Sequence, residues 1–156
     1  MPQDRASRFP RHFDELAVGD RFTSRAGSLT EDQIIAFAKD YDPQSFHLDR
    51  EAAKASIFGG LVASGFQTIG LAFRLIWDTG LFAGTNIGGH GLDEIRWPRP
   101  VRPGDALTVT VTVEALIPSR SRPDRGTARN RYRMHNQKGE EVFSMLASQI
   151  LKRRGT

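Results

Sequence analysis

Apolar residues recur with a helical period in the first half of this 156-residue chain and with a period of two after about Ile87. The alternation is clearest over residues 107–114, where one face is apolar (Leu107, Val109, Val111, Val113) and the other polar (Thr108, Thr110, Thr112, Glu114). This pattern is typical of a strand with one buried face. Further strands are expected over Arg21–Ser28, Gly91–Trp97, Thr127–Asn136 and Glu141–Lys152. Helices followed by antiparallel strands indicate an α+β domain, in which a sheet packs on a buried helix.

Three helices are expected before the main strand region. Thr30 and Gln33 form a capping-box pattern at the start of the first helix, and Pro43 should end it because the residue before a proline avoids the helical conformation. Asp49 can cap a second, short helix. The third helix covers the most apolar segment, Leu61–Asp78, where apolar residues occupy much of the helix circumference. That distribution predicts a buried central helix.

Length and composition restrict the class of protein. A chain of 156 residues is typical of one domain, with residues 1–12 interpreted as a flexible leader and residues 13–156 as the domain. The absence of cysteine excludes disulfides, cysteine nucleophiles and cysteine-ligated metals. No segment has the length of an apolar membrane-spanning helix or the pattern of a secretory signal. We therefore expect a cytoplasmic protein with no membrane partner.

Among the four histidines, His47 has the setting that most suggests catalysis, because it lies five residues after Asp42 and beyond Pro43. Across a helix end and a returning loop, a carboxylate and an imidazole could converge on one water. One would act as general base and the other as acid or orienting partner. The alternative is structural: Asp42 starts the turn before Pro43, and His47 packs as a half-buried loop residue. The spacing alone leaves both interpretations open.

The start of the apolar helix is rich in small residues, with Gly59-Gly60 followed by Ala63-Ser64-Gly65. Free N–H groups at a helix N-terminus favour an anion, and the same geometry can stabilise a thioester oxyanion. Close packing of the helix start against a sheet would also require small residues. The sequence contains no nucleophile-elbow or metal-ligand spacing, so no bound metal is expected.

Basic residues are mostly arginine, 18 of 22, and three of them (Arg129, Arg131, Arg133) share one face of an expected strand. Such a face could bind nucleic acid, or it could be a solvated surface. Aromatic residues that could stack on bases are sparse beside it, with only Tyr132 nearby and on the opposite face. We therefore favour the solvated surface and expect no nucleic-acid partner.

Three stretches of the sequence share their residues and their order with one known family: Phe37–Asp49 with Ala52, Phe58–Gly65, and Gly91–Asp105. They resemble the MaoC-like dehydratase family, the (R)-specific enoyl-CoA hydratases of the hot dog fold. The resemblance extends from about Phe13 to Lys152. It implies an antiparallel sheet of five or six strands wrapped around a buried central helix.

The resemblance also implies a reaction and the residues that perform it. Asp42 and His47 fall on the family's catalytic pair, and Gly65 falls on the glycine whose backbone N–H binds the thioester oxygen. The pair would hold the water that adds to C3 of trans-2-enoyl-CoA, giving (R)-3-hydroxyacyl-CoA, with dehydration as the reverse. The sequence departs from the family's Asp-x-Asn-Pro-x-His motif at Gln44-Ser45, and Phe73 replaces a serine found in some relatives.

Further substrate contacts are expected at Gln44 and Ser64. The candidate walls of the acyl pocket are Phe46, Phe73 and Trp77, for which ordinary core packing is the alternative. The candidates for contacts with the CoA phosphates are Arg96, Arg99 and Arg102, for which surface charge is the alternative. No cofactor is expected beyond the CoA that forms part of the substrate. The resemblance implies a homodimer or higher homo-oligomer whose sheets join edge to edge. Two alternative functions remain open: a hot dog acyl-CoA thioesterase, and a non-catalytic acyl-CoA-binding subunit.

Overall fold

A five-stranded antiparallel sheet and one long helix form the centre of the structure, a computed structural model that describes residues 9–155. The strands are β1 (Arg21–Thr23), β2 (Asn86–Arg96), β3 (Thr108–Pro118), β4 (Arg125–His135) and β5 (Glu141–Lys152). The helices are a short 3-10 helix (Phe13–Glu15), α1 (Glu31–Tyr41), α2 (Ser45–Leu48), α3 (Arg50–Lys54) and α4 (Gly65–Trp77). The order of the strands in the sheet is β1-β3-β4-β5-β2.

The strands β3, β4 and β5 form a meander at the centre of the sheet, in which Tyr132 pairs with Val111 on one side and Met145 on the other. Their inward faces are largely apolar, as the alternation in the sequence predicts. The helix α4 packs on this face through Ala72 and Ile76, which are almost fully buried in the same core. A sheet wrapped around a central helix is the hot dog fold, and the predicted fold class is confirmed.

The central helix begins later and is less enclosed than the sequence predicts. Ser64 is its N-cap, so α4 starts at Gly65. Before it, the N–H groups of Val62 and Ala63 donate to the carbonyls of Phe46 in α2 and of Val101. Three large apolar side chains on the helix are between 44% and 63% exposed: Phe66, Phe73 and Trp77. Full burial was wrong because the sheet of a single chain covers only one face of the helix. Neither α4 nor any other helix within residues 9–155 is long and apolar enough to cross a membrane.

The amino-terminal residues that the structure describes pack on the domain. The backbone N–H of Arg11 donates to the carbonyl of Leu81 at 2.8 Å, and the Phe9 ring lies edge-on to the ring of Phe22. Arg11 is also buried. The expectation of a flexible leader is therefore corrected for residues 9–12, and residues 1–8 of that leader lie outside the described residues.

Candidate active site

Asp42 and His47 come together because a proline separates two helical segments. Asp42 is the C-cap of α1, and Pro43 follows it, so the helix does not continue. The chain turns back into α2, where the N–H of His47 donates to the carbonyl of Gln44 at 3.0 Å. This one-turn helix, in place of the expected loop, directs the imidazole towards the carboxylate. Nε2 of His47 lies 3.1 Å from Oδ2 of Asp42.

The other imidazole nitrogen of His47 lies 2.6 Å from the carbonyl oxygen of Val62. A carbonyl oxygen only accepts hydrogen bonds, so Nδ1 bears a hydrogen and Nε2 is the nitrogen that can exchange protons with Asp42. Both side chains are enclosed, because Asp42 is 9% and His47 is 5% exposed. The structure therefore contradicts the interpretation of His47 as a half-buried loop residue.

The Asp42 carboxylate is surrounded by hydrogen-bond donors. Nε2 of Gln44 donates to Oδ1 at 2.8 Å, and the Ser64 hydroxyl donates to Oδ2 at 2.7 Å. Burial, the largest single influence, would raise the pKa of Asp42, but the bonds from Gln44 and Ser64 and the adjacent His47 outweigh it. The pKa of Asp42 is therefore lowered, and the group is a carboxylate at neutral pH that can accept a proton.

Ser64 connects this carboxylate to the start of α4. Its hydroxyl oxygen also accepts from the backbone N–H of Phe66 at 3.2 Å, which is the N-cap contact of the helix. The backbone N–H of the next residue, Gly65, has no acceptor among residues 9–155. Because the dipole and the free N–H groups at a helix N-terminus favour negative charge, this N–H can bind a ligand oxygen.

These groups border one cavity of about 460 Å³, here called the Asp42 cavity, which is also lined by Phe46 and by residues 97–101. Trp97 forms one wall, and its Nε1 donates to the carbonyl of Gly65 at 3.2 Å. A Cβ atom on Gly65 would lie 2.6 Å from Cε2 of the indole, so glycine is the residue that fits there. The sequence does not identify Trp97 as a residue of the site, because no local pattern predicts that the end of β2 contacts the start of α4.

The structure divides the other expected substrate contacts between two cavities. Gln44 and Phe46 line the Asp42 cavity, and Ser64 contacts the carboxylate at its edge. Phe73 and Trp77 instead line a second cavity of about 700 Å³ beside the carboxyl-terminal half of α4, here called the Phe73 cavity. The three candidates for the wall of the acyl pocket therefore line two cavities instead of one. The helical pattern does not predict this division, because it does not show which part of the sheet packs against each turn of α4.

The three arginines expected near CoA differ in their surroundings. Arg99 lines the mouth of the Asp42 cavity and pairs with Glu140 at 3.0 Å. Arg102 donates from its guanidinium to the backbone carbonyl of Phe58. The guanidinium of Arg96 donates to the carbonyl of the preceding residue, and Arg96 is not among the described residues that line either cavity.

The arginines on the outer face of β4 are ion-paired. The pairs are Arg129 with Asp93 at 3.8 Å, Arg131 with Glu114 at 2.9 Å and with Glu94 at 2.5 Å, and Arg133 with Glu141 at 2.7 Å. Nucleic-acid binding depends on cations that are free to replace counterions on phosphates. Because these three arginines are paired with four carboxylates, the face has no excess of positive charge and fits the solvated surface favoured from the sequence.

The Asp42 cavity brings three chemical capacities together. A carboxylate can accept a proton, the Nε2 atom of an imidazole can give one, and a free N–H can bind developing negative charge. Within residues 9–155, no group of three or more His, Asp or Glu side chains is placed to hold a metal ion. The arrangement suits the addition of water to an activated double bond, or its removal.

Comparisons with known proteins show which proteins this chain is similar to. The family model described as MaoC like domain matches residues 15–134. A MaoC-like dehydratase from Rhodospirillum rubrum, known from its crystal structure, is 46% identical and superposes with a TM-score of 0.87, covering 94% of this chain and 99% of that one. The uncharacterized protein YdeM of Bacillus subtilis is 32% identical over 140 residues, which cover 90% of this chain and 98% of that protein. The (R)-specific enoyl-CoA hydratase of Rhodospirillum rubrum is 27% identical over 114 residues, which cover 70% of this chain and 74% of that protein.

Proposed function

Because the chain belongs to the MaoC-like dehydratase family, we propose that it hydrates trans-2-enoyl-CoA to (R)-3-hydroxyacyl-CoA and catalyses the reverse dehydration. Hydratase or dehydratase chemistry is the class that the family and its named relatives support. The observation that most supports the finer proposal is the position of Asp42. Its carboxylate contacts His47 Nε2 and the hydroxyl of Ser64, which caps the helix that begins with the free N–H of Gly65.

In the proposed reaction, a water held between Asp42 and His47 attacks C3 of the enoyl thioester. The Asp42 carboxylate accepts a proton from the water as the C3–O bond forms. The electron pair of the double bond moves through C2 to the thioester oxygen, and the resulting enolate oxygen accepts a hydrogen bond from the Gly65 N–H. His47 then donates its Nε2 proton to C2, and the carbonyl re-forms.

The contact with Val62 determines the proton balance of this cycle. Because the Val62 carbonyl holds the hydrogen on Nδ1, the proton that His47 releases is the one on Nε2. His47 therefore enters this step with a hydrogen on both ring nitrogens and leaves it as a neutral imidazole. The proton taken by Asp42 passes back to Nε2 across 3.1 Å, and the pair returns to its starting state. The net change is the addition of one water. Since both groups lie on one side of the cavity, hydrogen and hydroxyl add to the same face of the double bond.

The CoA phosphates are proposed to bind at the mouth of the cavity near Arg99. Its ion pair with Glu140 is partly exposed, and such pairs contribute little to stability, so a phosphate can replace the carboxylate. Arg102 would support this site through its contact with the Phe58 carbonyl. Arg96 has no place in this proposal, because it borders neither of the cavities described above.

We also propose that the chain forms a homodimer. The strand β2 pairs with β5 on one side only, and most of its residues are exposed. An unpaired edge of this length is usually covered in native proteins. Pairing with β2 of a second copy would satisfy the edge and bring a second chain towards the exposed side of α4, where Phe66, Phe73 and Trp77 lie.

Two alternative functions would use the same cavity. A thioesterase would direct the water at the carbonyl carbon and release free CoA, and a non-catalytic subunit would bind acyl-CoA without turnover. The departure from the family motif at Gln44-Ser45 is the sequence feature that supports the second alternative. In the structure Gln44 donates to Asp42 and stabilises its ionised form, which supports a working carboxylate instead.

The test of the proposed function is incubation of the purified protein with crotonyl-CoA while enone absorbance and free thiol are both followed. Hydration predicts loss of the absorbance with no thiol release, and a product oxidised by an (R)-specific but not an (S)-specific 3-hydroxyacyl-CoA dehydrogenase. His47→Asn should abolish the reaction. Released thiol would establish the thioesterase instead. Binding without turnover over a series of chain lengths would establish the non-catalytic subunit.

A further inference from the structure

The Phe73 cavity lies further along α4 than the Asp42 cavity. Thr68 lines the first cavity and Ile69, the next residue, lines the second. Ile69 and Phe73 follow Gly65 by four and eight residues, which at 1.5 Å per residue places this cavity about 6–12 Å along the helix from Gly65. This distance is within the length of a medium-chain acyl group whose thioester oxygen is bound at Gly65.

The floor of the Phe73 cavity contains a polar group that its apolar walls do not explain. Tyr132 and Gln149 line it from β4 and β5, and Asn130 lies beside them on the same inward face. Asn130 and Tyr132 are fully buried, and Gln149 is 5% exposed. Oε1 of Gln149 accepts two hydrogen bonds, one from Nδ2 of Asn130 and one from the Tyr132 hydroxyl, both at 2.9 Å.

No described residue accepts a hydrogen bond from Nε2 of Gln149. Oδ1 of Asn130 is buried without a partner. Turning the Gln149 amide over would remove the acceptor of the Tyr132 hydroxyl. Burial raises the pKa of Tyr132, so the hydroxyl keeps its proton and needs that acceptor. Gln149 therefore lines the cavity with an amide nitrogen whose N–H groups have no acceptor, and enclosing them beside an apolar ligand would be unfavourable.

We propose that the Phe73 cavity binds the distal part of the acyl group, and that Nε2 of Gln149 donates a hydrogen bond to a neutral oxygen on it, a carbonyl or a hydroxyl. This inference rests on the proposed function, because it takes the acyl thioester as the ligand. The stacked rings of Phe73 and Trp77 form the apolar wall against which the rest of the chain packs. The preferred substrate is then an oxygenated enoyl-CoA of medium length instead of a plain alkyl one.

The test compares kcat/KM for trans-2-decenoyl-CoA with that for analogues that have a carbonyl at C6, C7, C8 or C9. The wild-type protein should prefer at least one analogue by about tenfold or more, since the alkyl substrate encloses an unpaired donor. Gln149→Met has a similar size but no N–H, and it should remove this preference. Gln137→Met, the same change on an exposed hairpin, should keep it.

Crotonyl-CoA, which is too short to reach Gln149, separates the failure of this inference from that of the proposed function. Gln137→Met, the control variant, should hydrate it at the wild-type rate. If the wild type hydrates crotonyl-CoA but has the same kcat/KM for decenoyl-CoA and all four analogues, the inference about Gln149 is wrong. The proposed hydratase function is then unaffected. If the wild type hydrates none of these substrates, both are wrong. If Gln149→Met fails to fold, the preference of the wild-type protein for a carbonyl-containing analogue over decenoyl-CoA decides whether the inference holds.

Discussion

His47 and Val62 are joined side chain to backbone: Nδ1 of the imidazole lies 2.6 Å from the Val62 carbonyl oxygen, just before α4 begins. The N–H of Val62 in turn donates to the carbonyl of Phe46 at 3.3 Å. The residues that lead into the helix therefore also orient the imidazole. It follows that the proton-transfer pair and the N–H of Gly65 are positioned by one stretch of chain, and a change in that stretch should affect both.

Ser64→Ala should affect stability and proton transfer together. The variant loses the N-cap of α4, which costs about 1 kcal/mol of unfolding free energy, and Asp42 loses one hydrogen-bond donor. Without that donor the pKa of Asp42 rises, so the acidic limb of the kcat/KM profile should move to higher pH. Asp49→Ala removes the N-cap of α3 and is the matched control. Asp49→Ala should lower the stability of the fold without moving the acidic limb of the kcat/KM profile. If that limb does not move in Ser64→Ala, Ser64 does not have the role in proton transfer that is given to it here.

Gly65→Ala should be destabilising because of Trp97. The new Cβ would lie 2.6 Å from Cε2 of the indole, and overpacking of this kind costs about 1–3 kcal/mol. In a Trp97→Ala background the same substitution should cost much less, since the neighbour that it meets is gone. Urea denaturation of the four proteins in this double-mutant cycle measures the coupling. Equal costs in both backgrounds would mean that the indole does not restrict Gly65.

Asp42 should make the stability of the fold depend on pH in the acid range. Burial opposes its ionisation, but its donors outweigh burial, so its pKa is lower in the folded than in the unfolded protein. The resulting stabilisation is complete above the unfolded-state pKa of about 3.9 and is lost as the pH falls through the lower folded-state pKa. The difference in unfolding free energy between wild type and Asp42→Asn should therefore shrink from pH 7 to pH 3. A difference that stayed constant or grew would contradict the lowered pKa.

Local patterns in the sequence predict much of the fold. The capping box at Thr30, the end of α1 before Pro43 and the cap at Asp49 all occur as predicted, because each depends on residues within one turn. Alternation likewise predicts β5 with its observed limits, Glu141–Lys152. The apolar pattern predicts a start of α4 that is about four residues too early, because residues 61–63 are as apolar as the helix but precede its N-cap.

The candidate site is less accessible to sequence reasoning, because its contacts join distant parts of the chain. The spacing of Asp42 and His47 indicates that they could meet, and the structure brings them together. The contact between Trp97 and Gly65 joins residues 32 positions apart, and that between Asn130 and Gln149 joins residues 19 positions apart. Such contacts follow from strand register and helix packing, so no local pattern predicts them.

The measurement that tests the account most directly is the turnover of crotonyl-CoA by Asp42→Asn, together with its affinity for butyryl-CoA, which lacks the double bond. Asn keeps the shape of the side chain but cannot accept a proton from water as a carboxylate does. The account predicts that kcat falls by about 10²–10⁴ while butyryl-CoA binds within a few-fold of wild type. Turnover within tenfold of the wild-type rate would contradict the assignment of Asp42 as the general base.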